Sequence, residues 1–209
     1  MFEKAEYIVI EGPIGAGKTS LARRLATRMH CDMLLEQPEL NPFLNRFYHE
    51  PQRWNLATQL SFLFARFDRL AELPPRGKRV VSDFLLAKDA LFAELNLEPD
   101  ELALYRRIFA AHSATHPRQP DLVIYLQAKP DTLVSRLQAR GNPNDRRISK
   151  HYLERVIEYY ARFFYAYEDA PVFTVDADVL NPIGEDDDFE LLMQRLQGMR
   201  GFREYFGYA

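Results

Sequence analysis

The chain carries one cysteine, Cys31, among 209 residues. A lone thiol excludes an intramolecular disulfide and a multi-cysteine zinc site. A basic excess is also missing: 27 Lys+Arg stand against 30 Asp+Glu, a formal charge of −3. Such a balance disfavours sequence-independent nucleic-acid binding, which needs cations along a phosphate backbone. No apolar run nears the roughly 20 residues of a membrane-spanning helix. No repeat, low-complexity tract or linker divides the chain. The opening residues 1–12 are interrupted by Glu3, Lys4 and Glu6 and lead at once into a strand pattern, so no signal peptide is expected. What remains is near the globular average, with 47% hydrophobic and 27% charged residues. A chain of this size buries roughly 70% of its unfolded surface as one domain. A soluble, cytoplasmic protein with one domain over 1–209 is expected.

Short apolar runs alternate with longer segments of helical period. The runs are YIVIE at 7–11, MLLE at 33–36, RVVSD at 79–83, LVIYLQ at 122–127 and VFTVD at 172–176. They are brief and nearly unbroken, as strands buried on both faces should be. The expected fold is therefore α/β, a five-stranded parallel sheet flanked by helices. Leu21, Ala22, Leu25, Ala26 and Met29 mark one helical stripe; Leu56, Leu60, Leu63, Phe67 and Leu70 mark another, between 54 and 73. Gln59 and Arg66, seven apart, share a different face of that helix. Further helices are expected near 98–113, 130–140, 149–168 and 186–198. The stretch RGNPNDRRI at 140–148 reads as a polar loop and a short lid.

Gly12, Pro13, Ile14, Gly15, Ala16, Gly17, Lys18 and Thr19 fit G-x-x-x-x-G-K-[ST], between an expected strand and an expected helix. Glycines let consecutive N–H groups curl around phosphate oxygens, and the helix N-terminus adds its positive end. Lys18 reaches the β/γ-phosphates and the Thr19 hydroxyl ligates Mg²⁺, with ATP as co-substrate. No N-K-x-D guanine reader accompanies the loop, which argues against regulatory GTPases. The chain is small for motor or transporter ATPases, so small-molecule kinases fit best. Two acids close strand runs: Glu36 the second and Asp83 the third. In open α/β sheets ligands sit outside the strands' carboxyl ends. One acid would orient or deprotonate an acceptor hydroxyl, and the other would help hold Mg²⁺. Glu11 and Asp121 also lie near strand ends and are read as structural.

At these residues the sequence resembles the deoxyribonucleoside kinases, specifically the bacterial deoxyguanosine/deoxyadenosine kinase branch. The likeness runs from about residue 7 to 176. It rests on Asn41-Pro42-Phe43-Leu44, Phe47-Tyr48, Pro51, Trp54, Gln59 and Arg66, then Ser82-Asp83-Phe84 with Asp89, and the Arg136/Arg140-Gly141 lid. The resemblance implies a P-loop kinase that moves the γ-phosphate of ATP to the 5′-hydroxyl of a purine 2′-deoxyribonucleoside, for nucleotide salvage. It implies Glu36 as general base and Asp83 as the acid associated with Mg²⁺. It also implies Gln59 as reader of the base edge, and Arg66 with Asp89 as a charged pair closing over the base. Tyr48 would contact the sugar 3′-hydroxyl, near the acid Asp145 of the lid. Arg136 and Arg140 would serve the donor phosphates.

Some of this stands on residue chemistry alone. Gln59 offers a donor and an acceptor together, as bidentate contact with a base requires. Arg136 and Arg140 are four apart and share a helix face. Other positions keep a plainer reading beside the functional one: a surface amide for Gln59, a buried ion pair for Arg66 and Asp89, core packing for Tyr48, a solvated basic face for the lid arginines. The chain departs from the family where many members carry an arginine directly after the strand-end acid. Here that residue is Phe84, as an aromatic often is in the bacterial purine branch. The lid pattern R-G-R is broken by Asn142, with Arg146 and Arg147 close by. A nucleoside monophosphate kinase, disfavoured by Glu36, and a non-catalytic ATP-binding regulator, disfavoured by the two strand-end carboxylates and the basic loop, remain alternatives. Deoxynucleoside kinases of this kind pair through helices, so a homodimer is expected. The aromatics Phe62, Phe64, Tyr159, Tyr160, Phe163, Phe164, Tyr165 and Tyr167 are too many to turn inward from two helices. No nucleic-acid or membrane partner is expected.

Overall fold

A computed structural model describes residues 1–113 and 118–207. The strands are β1 (Tyr7–Glu11), β2 (Asp32–Leu34), β3 (Val80–Ser82), β4 (Leu122–Gln127), β5 (Val172–Asp176) and β6 (Arg203–Phe206). All pair in parallel, in the order β2-β3-β1-β4-β5-β6. Their carboxyl ends therefore share one edge of the sheet. The central β1 brings its following loop between the ends of β3 and β4, where an open sheet offers a crevice.

The helices are α1 (Lys18–Met29), α2 (Leu44–His49), α3 (Pro51–Ala71), α4 (Lys88–Asn96), α5 (Pro99–Ser113), α6 (Pro130–Arg140), α7 (Lys150–Ala166) and α8 (Asp186–Gly198). Alternation along β1 assigns its residues to two cores. Ile8 and Ile10 face Leu21 and Leu25 of α1, Leu133 and Leu137 of α6, and Leu192 and Leu196 of α8. Tyr7 and Val9 face Leu91 and Leu95 of α4 and Val156, Tyr160 and Phe164 of α7. A third cluster joins Leu63 and Phe67 of α3 to Ala93 of α4 and Tyr105 of α5. Strands covered on both faces lose the polar alternation of a half-exposed sheet, which is why their runs look continuous.

The sheet has six strands, not five. β6 is an edge strand, bonded to β5 alone, and only its Phe206 is buried. Arg203-Glu204-Tyr205-Phe206 carries no apolar run to announce it. The second and third strands are also shorter than expected: Glu36 and Asp83 lie just past β2 and β3, in the turns that follow. Two helices lacked a one-sided stripe. α2 buries none of its residues, and α4 buries Lys88, Asp89, Leu91, Ala93 and Leu95 around its circumference. The aromatic surplus is smaller than the sequence suggests. Tyr160, Phe164 and Tyr167 are buried, and Phe62, Tyr159 and Phe163 are half-buried. Phe64 and Tyr165 are exposed.

Candidate active site

The loop after β1 has the expected strand–loop–helix setting. Gly17 caps α1 in the left-handed region, φ 99°. At Gly12 a Cβ would come within 2.6 Å of the Leu126 carbonyl oxygen. Both positions therefore need glycine, one for its backbone angle and one for its contact with β4. Lys18 Nζ lies back across the loop and donates to the carbonyls of Gly12, at 2.7 Å, and Pro13, at 3.1 Å. Burial lowers the Lys18 pKa, with Lys88 adding to the effect, while Glu11, Glu36 and Asp83 oppose it.

Asp83 ties this loop to the acceptor side. Thr19 Oγ1 donates to its Oδ2 at 2.5 Å, and the Glu36 main-chain N–H donates to its Oδ1 at 2.8 Å. A hydroxyl and a carboxylate in contact form the hard, all-oxygen donor set that suits Mg²⁺, which takes one or two protein oxygens beside phosphates and water. Among the described residues no cluster of three or more His, Cys, Asp or Glu is placed to hold a metal by itself.

From Glu36 a buried charged chain crosses to α3 and α4. Arg66 donates from Nε to Glu36 Oε1 at 2.7 Å, and its Nη2 lies 2.5 Å from the same oxygen. Arg66 Nη1 pairs with Asp89. Gln59 Nε2 donates to the Asp89 carboxylate at 2.5 Å and to its main-chain carbonyl at 3.0 Å, and Tyr105 Oη donates to the carboxylate at 2.7 Å. One face of α3 thus brings Gln59 and Arg66 together at Asp89. Burial raises the Glu36 pKa, but the charges of Arg66, Lys88 and Lys18 outweigh it and hold the carboxyl at about 2. The acid is ionised at neutral pH.

The lid residues form a second cluster. Arg140 Nε donates to Asp145 Oδ2 at 2.7 Å, and Asp145 is buried within a short 3₁₀ turn. Tyr48 is near enough to feel both charges: burial raises its pKa, Tyr152 and Asp145 add to this, and Arg140 opposes it. Tyr48, Arg140 and Asp145 therefore share a neighbourhood, as the sequence suggests. Arg136 instead reaches the carbonyls of Ala16, at 3.3 Å, and Ala177, at 2.6 Å. It braces the phosphate loop from behind, while Arg146 and Arg147 are exposed. On the acceptor side Phe43 stacks on Trp54 with centroids 5.9 Å apart, and the Arg66 guanidinium lies 5.1 Å from the Phe62 ring centroid. These rings form a wall.

Two participants, Lys88 and Tyr105, escaped the sequence reading. Glu11 is wholly buried and accepts from the Gly12 and Leu85 amides, each at 2.8 Å, and from Tyr160 Oη at 2.9 Å. Its structural reading holds, but it is a hub beside the loop. Lys88 pairs with both Glu11 and Glu36. The only signal for Lys88 was a charge set directly after the apolar residues at 84–87. Tyr105 of α5 carries no sequence signal that separates it from a core aromatic. Asp121 proves structural at the opposite end of the sheet, accepting from the Glu6 and Tyr7 amides at 3.0 and 2.8 Å.

Comparison with known proteins places this geometry. The deoxynucleoside kinase family profile matches residues 8–199. The chain belongs to the deoxynucleoside kinases. It is 34% identical to the deoxyguanosine kinase of Bacillus subtilis (strain 168) over 194 residues, covering 89% of this chain and 93% of that one. It is 28% identical to the deoxyadenosine/deoxycytidine kinase of the same organism over 188 residues, covering 85% and 87%. A solved structure of the deoxyadenosine kinase from M. mycoides with bound dATP superposes with a TM-score of 0.81 at 25% identity, covering 91% of this chain and 99% of that one. The chain is accordingly an ATP-dependent kinase of deoxynucleosides.

Proposed function

We propose that this kinase transfers the γ-phosphate of ATP to the 5′-hydroxyl of a purine 2′-deoxyribonucleoside. The observation that carries the reading is the setting of Glu36, with its amide bonded to Asp83 and its carboxylate bonded to Arg66. An acid in that place orients a hydroxyl acceptor. A nucleoside monophosphate kinase would need a cation there for the acceptor phosphate. The 5′-oxygen attacks the γ-phosphorus, the bond to the β-phosphate oxygen breaks, and ADP leaves. Glu36 accepts the hydroxyl proton. Its low basicity suits a loose transition state, in which the nucleophile needs orienting more than early deprotonation.

Lys18, with Arg140 of the lid, balances charge on the phosphates, while Arg136 supports the loop through the Ala16 carbonyl. Thr19 and Asp83 would hold Mg²⁺, which when bound would neutralise charge developing on the phosphates. Gln59, Arg66 and Asp89 meet the base, and Tyr48 with Asp145 meets the 3′-hydroxyl. Closure of the 140–148 lid excludes water and limits wasteful ATP hydrolysis. The purine preference is supported by the likeness to deoxyguanosine kinases and by Phe84 after Asp83.

The whole chain acts as one kinase domain, a cytoplasmic salvage enzyme working as a homodimer. No helix among the described residues is long and apolar enough to cross a membrane. Exposed Phe64 of α3 and Leu104 of α5 offer apolar surface to a second copy. ATP consumption with deoxyguanosine, with dGMP and with no acceptor tests the reading. Turnover is expected with deoxyguanosine alone, and turnover with dGMP would overturn it.

A further inference from the structure

Lys88 is the first residue of α4 and is only 2% exposed. Its Nζ lies 3.3 Å from Glu11 Oε2, 3.3 Å from Glu36 Oε1 and 3.4 Å from Glu36 Oε2. The two acids are held very differently. Both Glu11 oxygens already accept from neutral donors, the Gly12 amide and Tyr160 on one and the Leu85 amide on the other. Glu11 is therefore fixed to β1, at the start of the phosphate loop. Glu36 stands in the turn after the three-residue strand β2, and besides Lys88 its carboxylate contacts Arg66.

Arg66 is shared. It also pairs with Asp89 and lies over Phe62, at the end of the site assigned to the base. A base entering there competes with Glu36 for the same guanidinium. Lys88 has no such second duty. Phe84, next to Asp83, is fully buried in the apolar cluster of α4 and α7 and brings no charge to the site.

We propose that Lys88 is a positioning residue for phosphoryl transfer, tying the Glu36 carboxylate to the fixed Glu11 so that the acceptor hydroxyl faces the phosphate loop. It rests on the reading of Glu36 as base. Lys88 keeps its proton throughout and forms no bond to substrate. Its effect is on orientation, where displacement of a reacting group by about 1 Å costs about 10²-fold in rate.

The competing role is mere counter-charge for buried Glu11, and paired substitution separates the two. Against a Glu11→Gln reference, Glu11→Gln/Lys88→Met removes the buried charge pair together. Its melting temperature is expected near the reference, with kcat about 10²-fold lower and the deoxynucleoside KM within about threefold. Adding Lys88→Met to Glu11→Gln/Glu36→Gln is expected to cost less than about threefold more, because Lys88 acts through Glu36. If the paired variant does not fold, Lys88→Gln alone, which keeps a donor, is expected to show the same loss in kcat without a KM change. A severe Glu36→Gln together with an undisturbed kcat in the Lys88 variants overturns the role of Lys88 alone. A mild Glu36→Gln removes the base assignment, and this proposal with it.

Discussion

The main-chain N–H of Glu36 donates to the carboxylate of Asp83 at 2.8 Å, so the acid assigned to the acceptor is braced by the acid assigned to the metal. The other Asp83 oxygen takes the Thr19 hydroxyl. Asp83→Asn should therefore weaken both functions. The Mg²⁺ concentration for half-maximal rate is expected to rise roughly tenfold or more, the scale of losing a metal-site partner. Glu36→Gln should leave that midpoint within about twofold while lowering kcat by about 10²–10⁴. Magnesium titrations of the two variants check this. An unmoved midpoint in Asp83→Asn would take Asp83 out of the metal site.

Lys18 offers a cleaner test of the loop. Its ammonium rests on the carbonyls of Gly12 and Pro13 and is lowered in pKa mainly by burial. A desolvated cation held at the phosphates gains most as charge develops in transfer. Lys18→Ala is expected to lower kcat by roughly 10²–10³, with the melting temperature little changed. Steady-state kinetics beside a thermal melt provide the check, and turnover near wild type would remove the loop from the mechanism.

Glu36 also fixes a pH dependence. Its folded pKa is about 2, below the ordinary glutamate value, because cations outweigh the cost of burial. A depressed carboxylate stabilises the fold fully above its unfolded pKa of about 4.3, and that contribution is lost as pH falls toward the folded value. Urea unfolding should thus show wild type losing more stability than Glu36→Gln between pH 5 and pH 3. Equal losses in the two proteins would show that Glu36 is not held by Arg66 and Lys88 in the folded state.

How far the sequence could be read follows from where the information lies. The phosphate loop is local: three glycines, a lysine and a threonine within eight residues, between a strand and a helix. Helical spacing set Gln59 and Arg66 on one face and the family resemblance paired Arg66 with Asp89, whereas the bonds from Gln59 to Asp89 were not foreseen. Lys88 was missed because its meaning lies in two acids, 77 and 52 positions earlier, brought together by the parallel crossing of β1, β2 and β3. α4 gave no stripe because several faces of it are covered, and β6 gave no run because it pairs on one side only. Tyr105 shows the same limit, since an aromatic in a helix reads as core until its hydroxyl meets Asp89.

Transfer to a purine deoxynucleoside is tested most directly by competition among the four natural deoxynucleosides at equal concentration, with ATP and Mg²⁺. Gln59 and Arg66 both bond to Asp89, so a base edge that draws these groups apart without replacing their bonds is strongly rejected. Separation of the monophosphates should show deoxyguanosine or deoxyadenosine with the highest kcat/KM. A highest kcat/KM for deoxycytidine or thymidine would contradict the purine assignment.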